Sequence, residues 1–429
     1  MNYTQTLEFL FSSMPTFQEK GATAYKPGLE RVTAFCRHLG NPQRNYFTIH
    51  VAGTNGKGSV SHMLASILQQ AGYRTGLFTS PHLSDFRERI KVDGEMISKQ
   101  KVVNFVDKHH DKMVELDLSF FEMTAALAFD YFAQSDCEVV VVETGLGGRL
   151  DATNIILPAV SVVTNVGLEH TDLLGDTLPK IAAEKAGIIK KSIPLVLGEA
   201  NDEYNSVFEE VASANKSRVI YAEQTFRIEN HSHDGDKQCI EVARVRDGYK
   251  YSFTLDLDGD YQQHNVLTAC TVADYLHEET PLTISRRAFI TGVNNVAGDT
   301  SLRGRWQTLQ TEPHIICDTG HNAHGLHYVT EQLKGLKCDK LYCVLGFVKD
   351  KDIEAILPLF PTDAHYIFTQ AGIERALDAE TLASKAAEHG LHGEVVSEVA
   401  KALARAKELA TANDVIFVGG STFVVAEVL

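Results

Sequence analysis

Ile49-His50-Val51-Ala52-Gly53-Thr54-Asn55-Gly56-Lys57-Gly58-Ser59 is an apolar run that stops at a glycine-rich turn, with a helical pattern of apolar residues starting directly after it. Read as strand, loop and helix, the stretch is a phosphate cradle. Gly53, Gly56 and Gly58 let backbone N–H groups approach an anion, with Thr54 and Asn55 between them; Lys57 adds a point charge and Ser59 offers an oxygen to Mg²⁺. The start of the helix contributes about half a positive charge. The spacing departs from the strict G-x-x-x-x-G-K-[ST] loop, because Gly53 lies close to Gly56 and Gly58 separates Lys57 from Ser59. The following pattern supports the loop reading over that of a plain glycine turn. Val60, Met63, Leu64, Ile67 and Leu68 share one helical face, and Gly72 supplies the stop.

Outward from this loop, further strands point toward the same edge. Thr75 to Thr79 reads as a short strand that hands over to Ser80-Pro81-His82-Leu83. Val139-Val140-Val141-Val142 has the β-branched composition of a buried parallel strand and ends at Glu143. Val160 to Thr164 is strand-like and is followed by Asn165, Glu169 and His170. In an open α/β sheet the carboxyl ends of the strands are where ligands bind, so Lys57, Glu143 and His170 are expected at one edge. Phe86 to Val92 alternates charge with apolar residues, as a half-exposed strand would; its Arg87 and Arg89 either face a carboxylate or form a solvated face. Tyr25-Lys26-Pro27-Gly28-Leu29 reads as a turn leading into a helix that continues to about Leu39. Gly145 to Asn154 is a second glycine-rich loop, with no obvious helix after it. Thr177 to Ile189 reads as a helix whose end carries Lys185, by position a surface residue.

Short alternating segments between Val219 and Leu257 suggest a small antiparallel sheet, and a helix is expected from Val266 to about Leu276. Asn294, Asn295, Gly298 and Asp299 cluster as linker residues, which places a domain boundary at 296/297. Beyond it, strands at Ile315 to Cys317, Leu341 to Leu345, Tyr366 to Thr369 and Val415 to Val418 alternate with helical stretches. Their ends present Asp318, Gly346 and Gly419-Gly420-Ser421, and Ser421 is a candidate for substrate binding. The expected fold is therefore α/β: residues 1–296 form a P-loop-type, mostly parallel sheet with a small antiparallel subsheet, and residues 297–429 a smaller Rossmann-like domain. His321, His324 and His327 recur every third residue, a spacing that fits a helix start better than a metal site.

Composition narrows the function. A chain of 429 residues with 44% hydrophobic content buries more core than one domain needs. Its net charge of −16, without a block of Lys and Arg, argues against a nucleic-acid surface. Seven scattered cysteines without a C-x-x-C pair fit a reducing, cytoplasmic setting. No apolar run reaches membrane-spanning length, and Met1 to Phe11 lacks the pattern of an export signal.

Taken in order, Gly53 to Ser59, Ser80 to Leu83, Gly145 to Asn154, Glu169-His170-Thr171-Asp172, Glu184-Lys185-Ala186-Gly187, Gly304-Arg305-Trp306-Gln307 and Asp318-Thr319-Gly320-His321-Asn322 resemble the bacterial folylpolyglutamate synthase/dihydrofolate synthase family of the Mur ligase superfamily. The family's Asp-x-Ala-His-Asn-Pro reads Asp318-Thr319-Gly320-His321-Asn322-Ala323 here, which keeps Asp318 and His321. The resemblance implies an ATP-dependent ligase that adds L-glutamate to dihydropteroate, to folates, or to both, through an acyl phosphate. It implies two Mg²⁺ ions: one held by Ser80 and Glu143 with Ser59 near the same phosphates, the second by Glu143, His170 and Lys185. An ammonium offers no acceptor, so Lys185 would act as its carbamate, as the matching lysine does in the superfamily. By the same resemblance Asn265 contacts adenine, Arg305 and Asp318 reach ATP, and His321 meets phosphate or glutamate. Lys57, Lys185, His321 and Asp318 are the expected catalytic residues. Gly28, Leu29, Arg87 and the Arg149 to Thr153 loop are candidates for the pterin side, with Asp151 the best single choice. A monomer is expected. The competing readings are a peptidoglycan-precursor ligase, which would need a uridine nucleotide, and a nucleotide-hydrolysing regulatory module.

Overall fold

The computed structural model describes residues 1–12, 28–234 and 237–429, so Tyr25, Lys26 and Pro27 of the expected turn lie outside the described residues. Strands of the first sheet are β1 (Phe47–Ala52), β2 (Thr75–Phe78), β3 (Ile90–Val92), β4 (Glu95–Met96), β5 (Val139–Glu143), β6 (Val160–Val163), β7 (Leu195–Leu197) and β8 (Val219–Tyr221). Their order is β4-β3-β2-β5-β1-β6-β7-β8. From β2 through β8 every pairing is parallel, and β3 and β4 add an antiparallel margin. The four valines of β5 lie between β2 and β1 and are fully buried, which is why that strand carries no alternation. Register places Glu143 beside Val51 and Val163 beside Ala52, so β5 and β6 end next to the phosphate loop.

A separate three-stranded sheet contains β9 (Phe226–Asp234), β10 (Lys237–Arg244) and β11 (Lys250–Leu255). The third sheet contains β12 (Gln307–Thr311), β13 (His314–Cys317), β14 (Leu341–Leu345), β15 (His365–Gln370), β16 (Gly393–Glu398) and β17 (Val415–Gly419), in the order β12-β13-β17-β14-β15-β16. It is parallel except at the β12 edge. Its core, around Ile316, Leu345, Tyr366 and Phe417, is separate from the cores that flank the first sheet. The chain divides into two compact units: the first runs on to Ser301, and the second is built on Leu302–Leu429 with short earlier pieces that include Leu257–Tyr261.

Three expectations are corrected. Phe86–Arg89 is a 3₁₀ turn, and the strand begins only at Ile90. The Asp85 side chain accepts from Arg87 N, while the Glu88 carboxylate accepts from the backbone N–H groups of Leu83, Ser84 and Asp85; this local capping overrides the alternating pattern. The polar residues read as a linker form two helices, Arg286–Asn294 and Val296–Thr300, so a boundary at 296/297 would cut into a helix. Asp256 accepts from Val296 N and Gly298 N, and Asn295 donates to Asp299, so polarity there serves capping. The helix expected from Val266 starts at Gln262 and includes Asn265. All seven cysteines are free. Among the described residues no helix is long and apolar enough to cross a membrane.

Candidate functional site

Gly56 sits at φ +78° and caps the Lys57–Gln70 helix without a side-chain hydrogen bond, leaving the first N–H groups of the helix facing the loop. The loop is held from below. Thr54 N donates to Asn165 O, Asn55 N to Asn165 Oδ1, and Thr54 Oγ1 lies within hydrogen-bond distance of both Gly167 O and Gly167 N. Lys57 Nζ donates to Gly53 O at 2.9 Å and Thr54 O at 3.0 Å, which folds its charge back over the cradle. Ser59 is buried and accepts from Gln262 Nε2, and Gln262 in turn accepts from Asn265 Nδ2. The Gln262–Glu279 helix therefore sits against the loop.

A Cβ on Gly56 would lie 2.2 Å from Asn265 Oδ1. Gly56→Ala combines that overlap with a left-handed backbone, which costs about 1 to 2 kcal/mol on its own. We expect nucleotide affinity to drop at least about tenfold in fluorescence titration, since each 1.4 kcal/mol is a factor of ten. Wild-type affinity in a folded Gly56→Ala protein would show that the close approach of Asn265 is dispensable.

Beside the cradle lies a group of charged side chains. Glu143, 3% exposed, accepts from Ser80 N at 3.0 Å, which joins the ends of β5 and β2. Arg89 is buried, its pKa pushed down to about 10 by burial and supported by the charges of Glu143 and Glu88. Its Nε donates to His82 Nδ1 at 2.7 Å, and the guanidinium lies over the Phe120 ring. His170 has a left-handed backbone, and its Nε2 is 3.5 Å from the Glu169 carboxylate.

Lys185, in the Leu178–Ala186 helix, is 2% exposed rather than on the surface. Burial, reinforced by the Lys57 charge and opposed by Glu169, lowers its amine to about 7. The cause of this burial is tertiary. The Gly145 to Asn154 loop lies on the helix, where Arg149 N donates to Glu184 O and a Cβ on Gly148 would lie 2.9 Å from that same carbonyl oxygen. Glu143, Glu169 and the Ser80 and Ser59 hydroxyls are oxygen donors suited to a hard divalent cation. The donor set of this edge thus fits Mg²⁺, provided Lys185 is not an ammonium.

Other expected residues are already occupied. Asp151, 4% exposed, accepts from Gly145 N and Leu146 N on one oxygen and from Thr153 N and Oγ1 on the other, so it shapes the loop from inside. Burial raises its pKa despite those bonds. Arg87 pairs with its neighbour Asp85 at 2.7 Å. Gly28 and Leu29 precede the Glu30–His38 helix, with Gly28 at φ +115°.

In the second unit Asp318 is buried at the end of β13; burial raises its pKa, and it accepts from Tyr261 OH at 2.6 Å, Trp306 N and Gly320 N. Arg305 donates to Gly304 O and to the Thr319 hydroxyl. His321 Nδ1 lies 2.9 Å from Thr319 O, so that nitrogen carries the proton. Ser421 caps the Thr422–Ala426 helix by accepting from Val424 N. His324 and His327 lie within the Ala323–Gly335 helix.

Two residues were missed from the sequence. Glu169 carries no signal in the sequence beyond its place next to His170, although it is a carboxylate beside that histidine and near Lys185. Phe121, in the Phe120–Gln134 helix, carries no motif signal, yet its ring lies where a Cβ on Gly145 would be 2.5 Å away, next to the Glu143 strand end.

A profile of the Mur ligase middle domain matches residues 51–273, and one of the Mur ligase glutamate ligase domain matches 304–422. The dihydrofolate synthase/folylpolyglutamate synthase of Bacillus subtilis is 31% identical, over 94% of this chain and 94% of the relative. A probable bifunctional folylpolyglutamate synthase/dihydropteroate synthase of Haloferax volcanii is 34% identical over the whole chain, which spans 50% of that relative's length. Among solved structures, E. coli FolC in complex with DHPP and ADP superposes with a TM-score of 0.86 at 30% identity, covering 100% of this chain and 97% of the other. The bifunctional folylpolyglutamate synthase/dihydrofolate synthase of Yersinia pestis, complexed with AMPPNP and Mn, gives 0.83 at 28% identity, covering 100% and 97%.

Proposed function

The chain belongs to the Mur ligase family, in its branch of folylpolyglutamate and dihydrofolate synthases, which are ATP-dependent glutamate ligases, and from that premise we propose that it joins L-glutamate to dihydropteroate, to folates, or to both. In this reading a carboxylate oxygen of the acceptor attacks the γ-phosphorus of ATP and ADP leaves. The amine of glutamate then attacks the acyl carbon, the amide bond forms, and phosphate departs as the amine gives up a proton. The observation that carries this is the meeting, at one strand edge, of a phosphate loop with Lys57, the carboxylates Glu143 and Glu169, and the buried amine of Lys185. Two anions must approach each other, so positive charge near both is the main requirement.

Ser80 and Glu143 would hold one Mg²⁺ with Ser59 nearby, and Glu143, His170 and carbamylated Lys185 a second; the ions would neutralise the transferring phosphoryl group. Lys57 binds the phosphates. Asn265, next to Gly56, supports the nucleotide; Arg305 and Asp318 are the further candidates for ATP, and His321 for phosphate or glutamate. Asp318 would act by fixing Trp306 and Gly320 around Arg305 and His321. Asp151 shapes the loop offered to the pterin side, with Gly28, Leu29 and Arg87 as its neighbours in role. We further infer a monomer that works on small molecules, binds no nucleic acid, and resides in the cytoplasm.

Purified protein with Mg²⁺, ATP and L-glutamate should release ADP only when a pteroate-type acceptor is also present. Dihydropteroate and tetrahydrofolate, tested separately, divide the two activities. A uridine-nucleotide acceptor should not support turnover. Equal ADP release with no acceptor would overturn the ligase reading.

A further inference from the structure

The phosphate-loop helix is fastened beyond its first turn. His62, Ser66 and Gln70 fall at successive i, i+4 positions of the Lys57–Gln70 helix and so share one face. His62 Nδ1 is 2.7 Å from Thr300 Oγ1. The Thr300 hydroxyl donates to Val296 O, so the histidine nitrogen is the donor of the first bond. Ser66 Oγ lies 2.7 Å from Gly292 O and 2.8 Å from Asp299 Oδ2, and Gln70 Nε2 donates to the same carboxylate oxygen at 2.8 Å. From the other side, Lys91 on β3 donates to Thr300 O at 2.7 Å and to Ser301 O at 3.3 Å. These are carbonyls at the end of the Val296–Thr300 helix, where a cation is favoured. Lys91 is 3% exposed, and burial lowers its amine to about 8, so it keeps its charge at neutral pH. A buried ammonium is expensive unless its hydrogen bonds are met. Here they are met by the last residues of the first unit. Ser301, at φ +54°, ends that unit, and Leu302 begins the long segment of the second.

We infer that His62, on the phosphate-loop helix, and Lys91, on β3, are positioning residues that clasp the end of the first unit from two sides, so that nucleotide held at the start of that helix steadies the residues through which the chain leaves for the second unit. The chemistry does not touch either side chain. Their effect passes through the position of Thr300 and Ser301, where the backbone turns left-handed before the second unit starts. A loose exit would leave nucleotide binding at the loop intact and slow turnover. The kinetic part of this inference rests on the ligase reading; the structural part does not.

Hydrogen exchange of the full chain, with and without Mg²⁺ and a non-hydrolysable ATP analogue, tests it. In the wild type, nucleotide should slow exchange of the 296–303 amides at least about fivefold, the lower end of a typical coupling between sites. In Lys91→Met that response should disappear. Thr300→Val, which removes the acceptor of His62, should weaken it independently and carries the test if Lys91→Met does not fold. Analogue affinity should change less than about twofold, whereas kcat for ADP release falls about tenfold; Lys91→Arg should recover part of kcat. Undiminished nucleotide-linked protection in both variants, or none in the wild type, would overturn the clasp. Absence of acceptor-dependent turnover in the wild type would instead sink the ligase reading, and the exchange data would still decide the clasp.

Discussion

Lys185→Ala should lower acceptor-dependent ADP release by about a hundredfold to a thousandfold, the range seen when one preorganised electrostatic group is removed from an active site. Lys185 is buried beside Lys57 and Glu169, and its amine is lowered to about 7. A substantial share of the amine is therefore neutral near pH 7, where an ordinary lysine with its pKa near 10.4 is almost wholly charged. The neutral form is the nucleophile that takes up carbon dioxide. Its nitrogen forms a bond to the carbon, loses a proton, and becomes a carbamate whose single negative charge is shared by two oxygens. The sign follows from the direction of the shift: carbamate is retained above about pH 7 and lost as pH falls through it, when the amine takes up a proton instead. Activity should decline on that acid side and recover with added bicarbonate. ¹³C-labelled bicarbonate should give a carbamate resonance in the wild type that is absent from Lys185→Ala, and small carboxylic acids should restore part of the variant's turnover. A fully active Lys185→Ala enzyme would return Lys185 to a packing role.

Arg305→Ala should reduce kcat about a hundredfold, a loss typical of one electrostatic contact to the transition state. Arg305 is held through Gly304 O and the Thr319 hydroxyl, and no described carboxylate lies within ion-pair distance of it. Its neighbour Asp318 is instead occupied by Tyr261, Trp306 and Gly320. A guanidinium oriented by neutral groups keeps its charge for a ligand. Steady-state kinetics should show a fall in kcat larger than any rise in the KM for ATP, and Arg305→Lys should recover only part of the rate. Unchanged turnover in a folded Arg305→Ala protein would confine the nucleotide chemistry to the first unit.

What was legible in the chain follows from what is local. The phosphate loop announces itself through three glycines, a lysine and a helix start; Glu143 stands at the end of four valines that only a buried strand explains. Lys185 was illegible because its surroundings are tertiary: the Gly145 to Asn154 loop lies on its helix, and Lys57, far away in sequence, is near its amine. Arg87 misled for the opposite reason. A capping box around Asp85 and Glu88, a purely local device, replaced the first half of the expected strand. The edge strands β12 and β16 are mostly polar and partly exposed, so neither shows the alternation or the apolar run that marks a strand with a buried face. Asp151 and Asp318 stand out in the sequence through the resemblance, but a sequence does not reveal that their oxygens accept hydrogen bonds from neighbouring backbone.

The central claim is that the acceptor carboxylate is phosphorylated before glutamate attacks, and an isotope test addresses it directly. Dihydropteroate or tetrahydrofolate, whichever supports turnover, is supplied with ¹⁸O in its reacting carboxylate, together with ATP, Mg²⁺ and L-glutamate. If an acyl phosphate forms, one labelled oxygen stays on phosphorus when the amide closes, and ³¹P NMR shows singly labelled inorganic phosphate in step with product. Unlabelled phosphate accompanying full amide formation would contradict the account.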